Sequence, residues 1–201
     1  MSIVDYLSAR RLNITEGYIQ SQQIIDLIGL INKTNKTNLN VMEIGFNAGH
    51  SAEVFLLHNS VSTLTSFDLG AHDYVSTAKE YIDIKYPNKH LLVIGDSRVS
   101  VPTFHKFHPD IKFDIIFIDG GHDYEFVKAD IENCIRMAHK DTIVILDDTM
   151  YGCIDDKGVS DINGPGRTWL EYLSANKVVE LNRVFYGGGS HVGMTWGKYM
   201  L

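Results

Sequence analysis

No stretch of this sequence is apolar enough to span a bilayer; its longest hydrophobic runs are the size of single strands. Met1 to Arg11 lacks a long apolar segment, so no secretory signal is expected there and the cytoplasm is the expected location. Cysteine is scarce. Cys134 and Cys153 make no disulfide framework and lack zinc-site spacing, which fits a reducing compartment. There the Asn-x-Thr triplets at Asn13, Asn32 and Asn35 would stay unglycosylated. Positive charge is also in deficit: 18 Lys and Arg face 25 Asp and Glu, a net charge of −7, with no arginine-rich cluster. Proteins that grip a nucleic-acid backbone usually present a basic surface. The expected partner is therefore a small molecule, nucleotide sugar or glycan, not nucleic acid or membrane. Internal repeats are absent, and the single low-complexity tract, Asn32 to Asn40, is too short to separate domains. The oligomeric state is left open, a homodimer included.

What is present reads as one α/β domain over all 201 residues, with 44% hydrophobic and 21% charged side chains. Residues 1–40 form an N-terminal helical segment, 41–150 a core, and 151–201 a loop, helix and hairpin. Ile24, Leu27, Ile28 and Ile31 fall at helical spacing and predict a helix over Glu16–Ile31. Strand and helix then alternate. Strands are predicted at Val41–Ile44, Leu64–Phe67, Leu91–Ile94, Phe113–Ile118 and Thr142–Leu146. Helices are predicted through His58, over Asp73–Tyr86, and after a cap at Asp123, with Val127, Ile131, Cys134, Ile135 and Ala138 on one face. A loop from Met150 to Gly166, a helix at Thr168–Ser174, and strands near Val178–Phe185 and Val192–Gly197 joined by Gly187-Gly188-Gly189 complete the chain. This order predicts a doubly wound, Rossmann-like, seven-stranded, mostly parallel sheet with helices on both faces and a C-terminal antiparallel hairpin.

In such sheets ligands sit beyond the carboxyl ends of the strands. Acids cluster at those ends here: Glu43, Asp68, Asp96, Asp119 and the pair Asp147-Asp148. Five strands each ending at or near an acid, all on one rim, are more than turn chemistry alone accounts for. Val41 to Ser51 is a strand, a glycine turn and a helix start. Gly45 permits a sharp turn, and Gly49 a close approach by cofactor or helix. Asn47 stands where a G-x-G-x-x-G dinucleotide fingerprint needs glycine, and no G-K-[ST] follows, which excludes a P-loop. An acid at Glu43 suits a cofactor carrying an ammonium group better than a pyrophosphate. Asp68 can accept from ribose hydroxyls, and Asp96-Ser97 can read an adenine amino group. Taken singly, each acid is as well explained as a turn or cap. Three acids, each after its own strand, favour a cofactor.

The segment E-I-G-F-N-A-G-H-S at Glu43–Ser51 resembles motif I of class I S-adenosylmethionine-dependent methyltransferases. The preceding E-G-Y-I-Q-S-Q-Q-I-I-D-L-I resembles the N-terminal helix of catechol and caffeoyl-CoA O-methyltransferases. F-D-I-I-F-I-D-G-G-H-D-Y-E-F-V-K-A-D-I and I-V-I-L-D-D-T resemble the macrocin O-methyltransferase and cephalosporin-hydroxylase-like branch. The resemblance spans Glu16 to Thr149 and, more weakly, the hairpin. It implies S-adenosylmethionine as cofactor, held by Glu43, Gly45, Asn47, Gly49, Ser51, Asp68, Asp96, Ser97 and Asp119.

Neighbouring strands lie about 4.8 Å apart, so Asp119, Asp147 and Asp148 can converge on one cation if their strands are adjacent. An all-carboxylate site suits Mg²⁺, Mn²⁺ or Ca²⁺. The related metal-dependent families place ligands at these positions, with Asp-Asn or Glu-Asp as the pair; Asp-Asp here makes the site more negative. The alternative is a turn-capping pair, disfavoured because uncompensated carboxylates repel. His122, three residues after Asp119, matches a histidine of the macrocin-like sugar methyltransferases, where the catechol enzymes place lysine. It is the candidate base, although a loop histidine bonded to a carboxylate would look the same. Tyr124, Tyr151, Arg167, Trp169 and His191 are weaker candidates for the acceptor, the aromatics beside Arg167 being suited to stacking a sugar but equally to the core of the last helix. The implied reaction is metal-dependent O-methylation, with a sugar hydroxyl favoured over a phenol. A metal-dependent hydrolase or a non-catalytic cofactor-binding module would leave Glu43, Asp68 and Asp96, or His122, unexplained.

Overall fold

The computed structural model describes residues 1–149, 153–154, 160–161, 164–186 and 192–201. They fall into two compact units, Met1–Ser100 and Val101–Leu201.

The first unit opens with α1 (Ile3–Ala9), held by a capping box between Ser2 and Asp5. It continues with α2 (Ser21–Lys33), β1 (Leu39–Ile44), α3 (His50–Leu57), β2 (Val61–Asp68), α4 (Val75–Lys85) and β3 (His90–Ile94). Strand order is β3-β2-β1, all parallel, with Glu43 opposite Ser66 and Asp68 opposite Ile94. Leu39, Val41 and Met42 of β1 are wholly buried, as are Phe55 of α3 and Phe67 of β2. Each contributes about 1.5–3 kcal/mol by leaving water.

α5 (Ser97–Phe107) leads into the second unit. There follow β4 (Phe113–Ile118), α6 (Tyr124–Cys134), β5 (Ala138–Leu146), the two-residue strands β6 (Cys153–Ile154) and β7 (Ser160–Asp161), α7 (Gly164–Ser174), β8 (Val178–Tyr186) and β9 (Val192–Tyr199). β4 and β5 are parallel, Ile118 facing Leu146; β9 runs antiparallel to both β5 and β8. Ile115 to Ile118 and Ile143 to Leu146 are buried at every position, the pattern of strands covered on both faces. With β4-β5-β9-β8 from this unit and β3-β2-β1 from the first, the sheet has seven strands, mostly parallel, closed by an antiparallel hairpin. Among the described residues, no helix is long and apolar enough to cross a membrane.

Departures from expectation have local causes. The helix predicted from Glu16 begins at Ser21, because Gly17 takes a left-handed φ of 77° that no helix accommodates. α1 lies in the segment read as helical, although no separate helix is predicted there; α5 is not predicted, because Pro102 inside it reads as a helix breaker. Ala138 opens β5 instead of extending the face of α6. Asp123 sits at the N-cap position of α6 but makes no side-chain cap bond. The glycines 187–189 of the predicted turn lie outside the described residues.

Candidate active site

In the first unit, the chain leaves β1 through three residues with positive φ: Gly45 at 98°, Asn47 at 47° and Gly49 at 75°. Asparagine is one of the few side-chain-bearing residues that visit this region readily. A Cβ on Gly49 would stand 2.8 Å from Ile3 Cδ1 and 3.1 Å from the Phe46 ring. Tight packing, together with φ, therefore requires glycine here. α3 starts at once with His50. The loop is also held from outside. Gly17 O accepts from His50 Nδ1–H at 2.7 Å, and Asn47 Nδ2 donates to Glu16 at 3.4 Å.

Glu43 is completely buried. Its two oxygens accept from Ser51 Oγ at 2.8 Å and Ser66 Oγ at 2.6 Å. Burial pushes its carboxyl up to about 7, helped by the charge of Asp68 and opposed by the two serines. Asp68 accepts backbone N–H bonds from Asn47 and Gly70, both at 2.7 Å. Asp96 is gripped by Arg98 through Nη2 at 2.5 Å and Nε at 3.0 Å, and accepts the Arg98 backbone N–H at 2.9 Å. Those bonds hold its carboxyl below the usual range. An adenine amino group would share Asp96 with Arg98. Ser97 is the first residue of α5.

Two side chains that sequence reasoning missed stand on this rim. Leu69 is 66% exposed and Ile94 56% exposed. Gly95 N–H donates to Asp68 O at 2.8 Å, and a Cβ on Gly70 would touch Ile94 Cγ2 at 2.9 Å, so the apolar pair borders Asp68. Leu69 directly follows Asp68 and Ile94 closes β3 two residues before Asp96; an apolar side chain at such a strand end is the signal that could have marked them.

The second unit repeats the plan with other chemistry. β4 and β5 end level, and Asp147 N–H donates to Ile118 O at 3.0 Å. Asp148 has φ 51°, which turns the chain just past the sheet. Ligand atoms of Asp119, His122 and Asp148 all lie within 4.8 Å of one another. His122 Nε2 is 3.1 Å from Asp148 Oδ2. Strand adjacency is thus as expected, but the converging set contains His122 in place of Asp147, which is 6% exposed directly after β5. Gly164 presses on this loop. A Cβ there would stand 2.1 Å from His122 O, so only glycine lets α7 start against it.

A family described as a methyltransferase domain matches residues 42–149. The chain belongs to that family. The match runs from Met42 to Thr149 and so contains every strand-end acid of both rims. No curated protein matches the chain. Solved structures show that the fold is that of S-adenosylmethionine-dependent O-methyltransferases. An O-methyltransferase from Bacillus cereus in complex with SAH superposes with TM-score 0.76 at 18% identity, covering 98% of this chain and 88% of that one. The O-methyltransferase TomG from Streptomyces achromogenes, involved in tomaymycin synthesis and complexed with SAM, gives TM-score 0.76 at 14% identity, with coverage of 98% and 88%. CalS11, a TDP-rhamnose 3′-O-methyltransferase in calicheamicin biosynthesis, gives TM-score 0.63 at 19% identity, with coverage of 90% and 82%.

The acceptor candidates of this methyltransferase divide. Tyr124 donates its hydroxyl to Glu171 at 2.6 Å, and the Arg167 guanidinium lies 4.0 Å over its ring. Arg167 Nε also donates to Glu171 at 3.1 Å, so the three form one exposed cluster on α6 and α7. Trp169 must be corrected. It is 0% exposed, and its indole N–H donates to Glu180 at 2.8 Å. It is a core residue of α7 with its polar atom satisfied, and no ligand can stack on it. Tyr151 and His191 lie outside the described residues.

Proposed function

We propose that this methyltransferase transfers a methyl group from S-adenosylmethionine to a hydroxyl of a sugar, in a glycan or glycosylated metabolite, with the help of a divalent cation. The observation that carries this reading is the convergence of Asp119, His122 and Asp148. Two carboxylates within reach of one point are a fitting oxygen donor set for Mg²⁺, Mn²⁺ or Ca²⁺, and His122 stands beside them as the candidate base. Asp119 and Asp148 would hold the ion, with Asp147 behind them in the chain. When bound, the ion would lower the pKa of the acceptor hydroxyl.

The chain's own residues supply the rest. Glu43 and the Gly45–Gly49 loop receive the amino-acid end of the donor. Asp68 accepts from the ribose, and Leu69 and Ile94 offer apolar faces to the purine. The sulfonium methyl is already activated. The hydroxyl oxygen attacks the methyl carbon in line, the carbon–sulfur bond breaks, and S-adenosylhomocysteine leaves as a neutral thioether. The hydroxyl proton passes to His122. An imidazole that donates from Nε2 to Asp148 is basic at Nδ1, and Asp148 stabilises the imidazolium that forms. The sugar preference rests on histidine at position 122 and on the resemblance in fold to CalS11.

A methyl-transfer screen against sugar and catechol acceptors, with and without Mg²⁺, tests this. Sugar methylation that EDTA abolishes is the expected result. Full activity in excess EDTA would remove the cation, and transfer to catechols alone would replace the acceptor. His122→Ala should lower turnover while S-adenosylhomocysteine still binds.

A further inference from the structure

Ser66 stands between Glu43 and His90. Its Oγ lies 2.6 Å from Glu43 Oε1 and 2.8 Å from His90 Nε2. The three residues come from β1, β2 and β3. Glu43 pairs with Ser66, and His90 pairs with Leu64, two residues earlier on the same strand face. A serine hydroxyl has one proton to give. If it goes to Glu43, His90 must donate from Nε2 and leave Nδ1 as a bare acceptor. If Glu43 itself carries a proton on Oε1, the hydroxyl turns to His90, whose own proton must move to Nδ1. That nitrogen is buried and has no hydrogen-bond partner. The second arrangement therefore leaves a buried N–H unsatisfied, which is costly. The chain of bonds is biased to run from His90 through Ser66 to a Glu43 carboxylate. Ser51, donating to the other oxygen at 2.8 Å, acts in the same sense.

Burial opposes this bias. Besides its serines, Glu43 feels Asp68, whose charge adds to the upward push, to about 7. His90 is held neutral by burial, down to about 4, with Lys79 and Asp83 of α4 acting in opposite directions and Phe46 stacked on its ring at 5.1 Å. Glu43 is thus balanced between its two protonation states at the point where a cationic donor arrives.

We propose that Ser66 and His90 are positioning residues that set the charge of Glu43, and that binding of the methyl donor expels the Glu43 proton into solvent. This rests on the reading of the Glu43 loop as the donor's binding site. The donor's ammonium favours the carboxylate, so the O–H bond of Glu43 breaks on binding and its proton passes to buffer. No other bond changes.

Titration calorimetry of S-adenosylhomocysteine into the whole protein, in buffers of different ionisation enthalpy, counts the protons. Release of about half a proton near pH 7, fading by about pH 9, is expected. Glu43→Gln should abolish the release. His90→Phe removes the relay donor; if Glu43 rises by about one unit, affinity near pH 7 falls about fivefold and recovers by about pH 9. His90→Gln, which can donate in the place of Nε2, should restore wild-type affinity. If His90→Phe fails to fold, Ser66→Ala makes the same comparison. Binding without proton exchange overturns the proposal, as does a loss in His90→Phe that is equal at every pH. No binding by wild type at any pH overturns the donor-site reading instead.

Discussion

The two strand-end rims use the same raw material differently. On the first, each acid is engaged by donors of its own unit: Glu43 by two serines, Asp68 by two backbone N–H groups, Asp96 by Arg98. On the second, Asp119 and Asp148 face each other and His122 across less than 4.8 Å. A rim whose acids are already hydrogen-bonded is preorganised for an organic ligand that adds a few further donors. A rim on which acids converge has the form that the proposed cation would need. The contrast shows that an acid after a strand does not declare its role; its nearest donors do.

The largest expected effect lies on the second rim. Asp148→Asn keeps a residue type that tolerates the φ of 51° and removes one charge. Methyl transfer should fall about a hundredfold or more. Mn²⁺ binding, followed by electron paramagnetic resonance, should weaken with it, and unchanged Mn²⁺ affinity would erase the contrast between the rims.

The first rim should reveal itself through pH. The Glu43 carboxyl rises from its ordinary 4.5 to about 7 on folding. Between those values the folded state holds the extra proton, so stability is full below about 4.5 and is lost as pH climbs through 7. His90, lowered from 6.5 to about 4, does the reverse, losing stability as pH falls through that range. The two slopes largely cancel in wild type. In Glu43→Gln only the histidine slope remains. Relative to this variant, wild type should lose about 3 kcal/mol from pH 4.5 to 7 in denaturant titrations. Parallel curves for the two proteins would mean that Glu43 titrates normally.

A third test separates loop from acids. Gly49→Ala forces a Cβ into φ 75° and against Ile3 and Phe46. A loss of about 2–3 kcal/mol is expected, read as a lowered midpoint in urea. Mn²⁺ binding should be untouched, because no residue of the cation cluster belongs to this unit. Weakened Mn²⁺ binding would show that the two rims are not independent.

Legibility in the sequence followed periodicity and local chemistry. The strands were readable because buried parallel strands are continuous apolar runs, as in Phe113–Ile118. The acids were readable because each closes such a run. α5 was hidden by Pro102, and the true start of α2 by an apolar pattern that tertiary contacts at Gly17 and Asn47 override. Which acids converge was not readable, since that depends on the turn at Asp148. Nor was the link from His90 to Glu43, which needs the register of three strands.

Trp169 gives the smallest effect and a clean discrimination within the second unit. The sequence offered it as an aromatic beside Arg167, suited to stacking a sugar. The structure instead buries it entirely, with its N–H on Glu180, which Arg183 also binds at 2.8 Å. Trp169→Phe keeps most of the apolar volume and deletes one hydrogen bond. It should cost about 1–2 kcal/mol of stability and leave the acceptor KM unchanged. Tyr124 and Arg167, tied to Glu171, remain the proposed acceptor contacts, and substitutions there are expected to raise KM. A raised KM in Trp169→Phe with unaltered unfolding would return the tryptophan to the acceptor's surface, and would mean that α7 turns a different face to the solvent from the one seen here.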